Sequence, residues 1–361
     1  MAALVFGGAL MAGGILAVAG MRTDTPSPTE TKLQRAAGRL IATSDIPGVI
    51  TLVEKAGRTD VVAAGDAELG RREARPDERF WVGSVTKSFV ATVAMLLVAE
   101  GELGLDDRVS RLLPGRLREG RRIRLRNLLD HTSGIPNYMD VEPWASAVAS
   151  DPRVTIPARR LVSSVARLPL QFTPGSRASY SNTNTLVLAE ILERITGRTL
   201  TILLEERVFD PLDLDATSYD DGQRVVREDQ MHGYDLSSSP PVDISTHGLG
   251  GPWADGGIVS SAHDLATFFT ALLRGELVPP TLVAQMRKVV PDSHGEGMGL
   301  YRLPSPCGRP LYGHTGGTPG YVTFAAGSRD GSRFYVVHWN GVSSDAIRAM
   351  DVYLDDLLCG K

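Results

Sequence analysis

Ser84 and Lys87 stand three residues apart at the head of a long apolar run, within Phe80-Trp81-Val82-Gly83-Ser84-Val85-Thr86-Lys87-Ser88-Phe89. If Val85 to Glu100 is helical, residues at that spacing share a face, and the Lys87 ammonium reaches back to the Ser84 hydroxyl. The free N–H groups and positive dipole end of such a helix point at the same oxygen. Together they favour an alkoxide or a developing oxyanion, which is what a nucleophilic serine requires. The same residues also fit a serine that merely caps a helix, and spacing alone leaves both readings open. His131, in Leu128-Leu129-Asp130-His131-Thr132-Ser133-Gly134, could pass for a catalytic base. At a helix end a histidine more commonly caps carbonyls, and that structural role is expected here.

The elements that must position these side chains follow from periodicity. Thr31 to Thr43 carries Leu33, Ala37, Leu40 and Ile41 at helical spacing. Gly48 to Glu54 and Asp60 to Ala64 are β-branched runs around Ala56-Gly57-Arg58-Thr59, a hairpin signature. Phe80 to Gly83 then leads into the Ser84 helix, which is apolar almost all round and therefore expected to lie between layers. From Gly101 to Ser245 the pattern is helical and loop-rich. It includes Leu125 to Leu129, and a helix around Leu186 to Ile195 closed by Gly197. Gly256 to Ser260 is strand-like and Ala262 to Leu273 helical. Tyr321 to Ala325 and Arg333 to Trp339 flank Arg329-Asp330-Gly331 as a second hairpin, and Ser344 to Leu358 forms a closing helix. The expected fold is α/β plus all-α: an antiparallel sheet flanked by helices, built from both chain ends, with a helical region inserted.

With 361 residues the chain suffices for one large domain or two that share a cleft. The net charge of −4 gives no reason to expect nucleic acid or an anionic surface as partner. Lysine is scarce, with Lys32, Lys55, Lys87, Lys288 and Lys361 alone, so a lysine facing a serine is less readily accidental. Met1 to Met21 is almost wholly apolar and reads as an export segment, with Ala17-Val18-Ala19 supplying a small-x-small cleavage pattern before Gly20. No basic residue precedes Arg22, which suggests a translation start further upstream. About twenty apolar residues could also span a bilayer as an uncleaved anchor, the one case in which membrane attachment is expected. Residues 1–30 are thus expected to be signal peptide or anchor plus linker. The remainder, 31–361, is expected outside the cytoplasm as a monomer, its α/β part about 31–82 and 256–361 and its helical part about 83–255. Cys307 and Cys359, an even pair in an exported chain, are expected to form a disulfide, with two buried thiols as the alternative. No Cys/His spacing resembles a metal site, and no cofactor is expected.

Three segments recur in order and context. Ser84 with Lys87, Tyr180 with Asn182, and Gly313-His314-Thr315-Gly316-Gly317-Thr318 resemble the three motifs of the penicilloyl-serine hydrolases. The Tyr-Ser-Asn and His-Thr-Gly variants are similar to those of class C β-lactamases and, more closely, of exported serine D-Ala-D-Ala carboxypeptidases. The run from Trp253 through Phe269, Cys307 seven residues before His314, and the terminal Cys359-Gly360-Lys361 extend the likeness over nearly all of the mature chain. The resemblance implies a β-lactamase/transpeptidase-like fold and acyl-enzyme chemistry on Ser84.

The roles that it implies are specific. Tyr180 would take the Ser84 proton, its phenolate stabilised by the Lys87 charge, and proton sharing between the two leaves open which is formally the base. Asn182 would orient Lys87 and the substrate amide. The N–H groups of Ser84 and Gly317 would form the oxyanion hole, with glycine permitting close approach on an edge strand. His314 would lend pH-dependent electrophilic help. Thr315 and Arg302 would hold a substrate carboxylate, and Trp253 would wall the cleft. The implied function is a D-Ala-D-Ala carboxypeptidase acting on peptidoglycan stem peptides and acylated by β-lactams. The alternatives are a class C-type β-lactamase and an esterase or D-amino-acid amidase, the last favoured if Arg302 does not reach the cleft.

Overall fold

The computed structural model describes residues 27–142, 144–151, 153–220, 226–247 and 253–359. The proposed export segment and its cleavage site, together with Gly360 and Lys361, lie outside the described residues. Among those described, no helix is long and apolar enough to cross a membrane.

A seven-stranded sheet forms the frame. From edge to edge it runs Arg72–Glu73, Arg58–Glu68, Gly48–Lys55, Arg333–Trp339, Tyr321–Gly327, Leu311–Thr318, Tyr301–Leu303, every neighbouring pair antiparallel. The two chain ends meet at its centre, where Val49 opposes Trp339 and Lys55 opposes Arg333. Alternation along the strands sends Val49, Val53, Val337 and Trp339 to one face and Ile50, Leu52, Phe334 and Val336 to the other. On the first face lie the helices Pro28–Thr43 and Ser344–Cys359, which bury Leu33, Ala37 and Leu40, and Ala346, Met350 and Tyr353. On the second lies the main core, centred on the helices Thr86–Ala99 and Ala262–Arg274, whose Phe89 and Phe268 stack with ring centroids 3.7 Å apart.

Most expected elements form, with revised ends. The first helix starts at Pro28, because Ser27 and Glu30 make a reciprocal capping box that seals its N–H groups. The first hairpin turns tightly on Ala56 and Gly57, both at positive φ, so its second strand begins at Arg58 and runs on to Glu68. The helix on Asn182–Thr196 ends in a left-handed Gly197 whose N–H bonds the Glu193 carbonyl. Ile258–Ser260 is a strand but does not join the large sheet; it pairs with Phe80–Trp81 and Ser218–Tyr219 in a separate three-stranded sheet. That small sheet aims the residues just before Ser84. Cys307 and Cys359 are joined, tying the last helix to the segment ahead of the Leu311–Thr318 strand.

Candidate active site

Ser84 does not cap the long helix. It sits inside a 3-10 turn, Gly83–Val85, that runs directly into the helix Thr86–Ala99. The turn requires glycine at 83, which has φ +55° and whose added Cβ would come 2.8 Å from the Gly317 carbonyl oxygen. One turn later Lys87 projects from the first helical residues, 3% exposed. Its Nζ donates to Ser84 Oγ at 3.0 Å and to the Asp255 carbonyl oxygen at 2.6 Å. A buried ammonium is thereby paired with oxygen on two sides.

Tyr180 completes the group from another element. It lies just before the helix Asn182–Thr196, and its Oη is 2.7 Å from Ser84 Oγ, with the Lys87 ammonium 5.0 Å from its ring centroid. His131, at φ +57°, packs its ring 4.6 Å from that of Tyr180. Its Nδ1 meets the Ser181 N–H at 3.3 Å and the Asn184 amide at 3.1 Å. His131 is structural, but it buttresses the tyrosine segment rather than capping the helix before it. A hydroxyl held between a phenolic oxygen and a lysine nitrogen can hand its proton to whichever of the two is deprotonated as it attacks a carbonyl carbon.

A cavity of about 240 Å³ opens over Ser84, lined among others by Trp81, Tyr180, Asn182, Gly317, Thr318 and Tyr321. The Leu311–Thr318 strand forms one wall: its first three residues pair with Tyr301–Leu303, which leaves His314 onward unpaired on that side. At Gly317, expected to admit the developing oxyanion closely, no atom would lie within 4 Å of an added Cβ, so that side of the strand is open and makes no steric contact. The contact is at Gly316, whose Cβ would fall 1.9 Å from the Val82 carbonyl oxygen. Gly316 and Gly83 together let the strand lie directly on the Ser84 turn.

Several expected placements need correction. Asn182 lines the cavity, yet its amide donates to Met139 Sδ at 2.8 Å, and Lys87 is held by the Asp255 carbonyl instead. His314 is 3% exposed and turns inward beside Tyr301, because strand alternation puts Thr315 and Gly317 on the open side. Burial pushes its pKa down to about 3, so it stays neutral and supplies no pH-dependent electrophile. Arg302 is exposed, opposite Tyr312, and does not line the cavity. Its neighbour Tyr301 takes the inward position, with centroids 4.7 Å from His314. Trp253 packs against the main core and is likewise not a lining residue.

The residues that sequence reasoning missed are Asp255 and Tyr138. The Tyr138 hydroxyl donates to Asp255 Oδ2 at 2.8 Å, fixing the turn whose carbonyl holds Lys87. Burial raises the Asp255 pKa. No local pattern marks either residue; both lie far along the chain from Lys87.

Burial also pushes the His131 pKa down to about 3. Below the ordinary value of about 6.5 the unfolded chain takes up protons that folded His131 and His314 refuse. Stability is therefore expected to fall as pH drops from about 6.5 toward 3, by about 2 kcal/mol per histidine at pH 5. The raised acids Asp255 and Asp130 act in the opposite sense and are common to all variants compared. In denaturant titrations, His314→Gln should lose about 2 kcal/mol less than the native chain between pH 7 and pH 5. An unchanged pH slope would refute a neutral buried His314.

The profile of the Beta-lactamase family matches residues 33–359. Penicillin-binding protein 4* of Bacillus subtilis (strain 168) is 28% identical over 277 residues, covering 72% of this chain and 60% of that protein. A D-aminopeptidase of Cereibacter sphaeroides (strain ATCC 17029 / ATH 2.4.9) is 31% identical over 296 residues, 76% of this chain and 53% of its own length. The chain thus spans little more than half of these curated relatives. A D-stereospecific amidohydrolase from Streptomyces sp. superposes with a TM-score of 0.81 at 31% identity, over 93% of this chain and 100% of that one. A penicillin binding protein from Bacillus halodurans, at 24% identity and a TM-score of 0.73 over 84% of this chain and 94% of its own, shares the β-lactamase/transpeptidase-like fold. Since the family profile spans both halves of the sheet and everything inserted between them, this chain belongs to the beta-lactamase family and carries its fold.

Proposed function

We propose that the protein hydrolyses an amide bond on the carbonyl side of a D-residue through a Ser84 acyl-enzyme, as a D-stereospecific amidohydrolase or aminopeptidase. The observation that carries this reading is the lack of a cationic lining: among the described residues, no lysine or arginine lines the cavity over Ser84, while Asp255 does. A carboxypeptidase must meet a terminal carboxylate there, and Arg302 stays outside. The 31% identities to a D-aminopeptidase and a D-stereospecific amidohydrolase support it.

In this mechanism the Tyr180–Lys87 pair starts one proton short, as phenolate with ammonium or phenol with neutral amine, and takes the Ser84 proton as Ser84 attacks the carbonyl carbon. The N–H groups of Ser84 and Gly317 receive the oxyanion. Collapse breaks the C–N bond as the same pair returns the proton to the departing amine. Water then repeats the sequence, releasing the acid and free Ser84. Lys87→Ala and Tyr180→Phe should each slow acylation by about 10² or more, measured by pre-steady-state labelling. A change below about threefold in either would remove that residue from proton transfer.

A second reading, a D-Ala-D-Ala carboxypeptidase on peptidoglycan stem peptides, is favoured by the exposed Thr315 beside Gly317 and by the likeness to penicillin-binding protein 4*. The deciding experiment compares D-amino-acid amides, their L-forms, and a D-Ala-D-Ala peptide, with intact-mass spectrometry after benzylpenicillin. Faster cleavage of D-amides than of either alternative supports the first reading. Dominant D-Ala release with a long-lived penicilloyl adduct establishes the second, and rapid penicillin turnover makes the protein a β-lactamase. An extracytoplasmic location is part of the proposal, supported by the Cys307–Cys359 bridge and the apolar Met1 to Met21 segment.

A further inference from the structure

Five arginines face one concavity at the opposite end of the strand that carries Gly317. It measures about 930 Å³, and Arg274, Arg287, Arg309, Arg329 and Arg333 line it where the ends of the helices Ala262–Arg274 and Pro280–Met286 meet the 304–310 loop and the 328–332 turn. Asp330 is the one acidic lining residue among those described. Its Oδ1 accepts from Ser328 Oγ at 2.6 Å and from the Ser332 N–H and hydroxyl at 3.1 and 2.8 Å, so one acid faces five cations. Arg274 meets Glu54 only at 3.8 Å and donates to the Gly331 carbonyl at 3.1 Å.

Arg287 is the telling member. One of its terminal nitrogens donates to the Leu273 carbonyl, while its Nε is buried with no partner. Its guanidinium lies 5.9 Å from the Tyr312 ring. Burial, and after it the neighbouring Arg329 charge, hold its pKa below the ordinary guanidinium range. Cys307 lines the same concavity, and its bridge to Cys359 ties the loop bearing Arg309 to the final helix. Like charges gathered around a cavity repel one another, and an anion that bridges them removes that cost. Planar guanidinium forks match phosphate oxygens two at a time.

We infer that this concavity binds a ligand bearing two or more phosphate groups. A singly charged ion would leave most of the five cations uncompensated. The strand advances about 3.4 Å per residue, so Tyr312 at the concavity stands about 17 Å from Gly317. The ligand would therefore leave the Ser84 cleft open, and the site is independent of the proposed hydrolysis.

The test is calorimetric titration of the intact protein with inorganic tripolyphosphate at roughly physiological ionic strength. Saturable one-to-one binding is expected, weakened at least about tenfold by the R309E/R329E pair, with R309Q/R329Q intermediate. A pair of exposed arginines elsewhere, R160E/R194E, should leave it unchanged, and thermal melts should show all variants folded. Absence of saturable binding to the native chain overturns the site. Equal weakening by the two charge-reversal pairs reduces it to general charge attraction and also overturns it. Citrate binding as tightly as tripolyphosphate overturns the phosphate assignment.

Discussion

Ser84→Ala is expected to abolish covalent labelling by a fluorescent penicillin and to cut amide hydrolysis by about 10⁴-fold or more, because the atom that forms the acyl bond is gone. The two contacts that single out this hydroxyl, 2.7 Å to Tyr180 Oη and 3.0 Å to Lys87 Nζ, have no counterpart at the other cleft serine. The Ser245 hydroxyl donates to Asp243 Oδ1 and accepts from the Gly233 N–H, so it is occupied by the loop that it supports. Lys87 keeps the Asp255 carbonyl when Ser84 is lost, and the fold should survive with a stability change of about 1 kcal/mol. A melting curve near that of the native protein therefore separates chemistry from unfolding. Labelling that persists on the alanine variant would move the nucleophile elsewhere.

Gly316→Ala should be the most damaging single methyl in the cleft. Its Cβ would stand 1.9 Å from the Val82 carbonyl oxygen and 3.2 Å from the Ser84 nitrogen, so strand and turn must separate. Such overpacking typically costs about 1–3 kcal/mol. A displacement of about 1 Å between the two sides of a reacting group costs about 10² in rate. Acylation and stability should thus fall together. Gly317→Ala is the control, since nothing lies within 4 Å of its Cβ, and its stability should stay within about 0.5 kcal/mol. Denaturant titration and stopped-flow labelling of the two variants decide the matter: a destabilised Gly317 variant beside an unaffected Gly316 variant would refute the described packing.

Local periodicity carries far in this chain because covalent spacing and near-neighbour hydrogen bonds set it. Leu265, Phe268, Phe269 and Leu272 mark one buried helix side, and the β-branched and aromatic run from Arg333 to Trp339 marks a central strand, buried on both faces. The Ser84–Lys87 contact is of the same kind, since three residues of turn and helix suffice to make it. Even the early start of the first helix was written locally, in Ser27 and Glu30, whose capping spacing precedes the apolar pattern by a few residues.

Contacts between distant segments are another matter. Whether Tyr301 or Arg302 turns inward depends on the parity of a short edge strand, where a shift of one residue exchanges the two sides. The same parity sends His314 into the core and leaves Thr315 outside. Asp255 meets Lys87 through a backbone carbonyl, an atom that every residue possesses, so no side-chain pattern could announce it. The sequence by itself determined the elements, the family likeness and the serine–lysine pair, all products of short-range spacing. Only the tertiary structure decided which side chains share the cleft, because packing and strand register choose among faces that local spacing leaves equivalent.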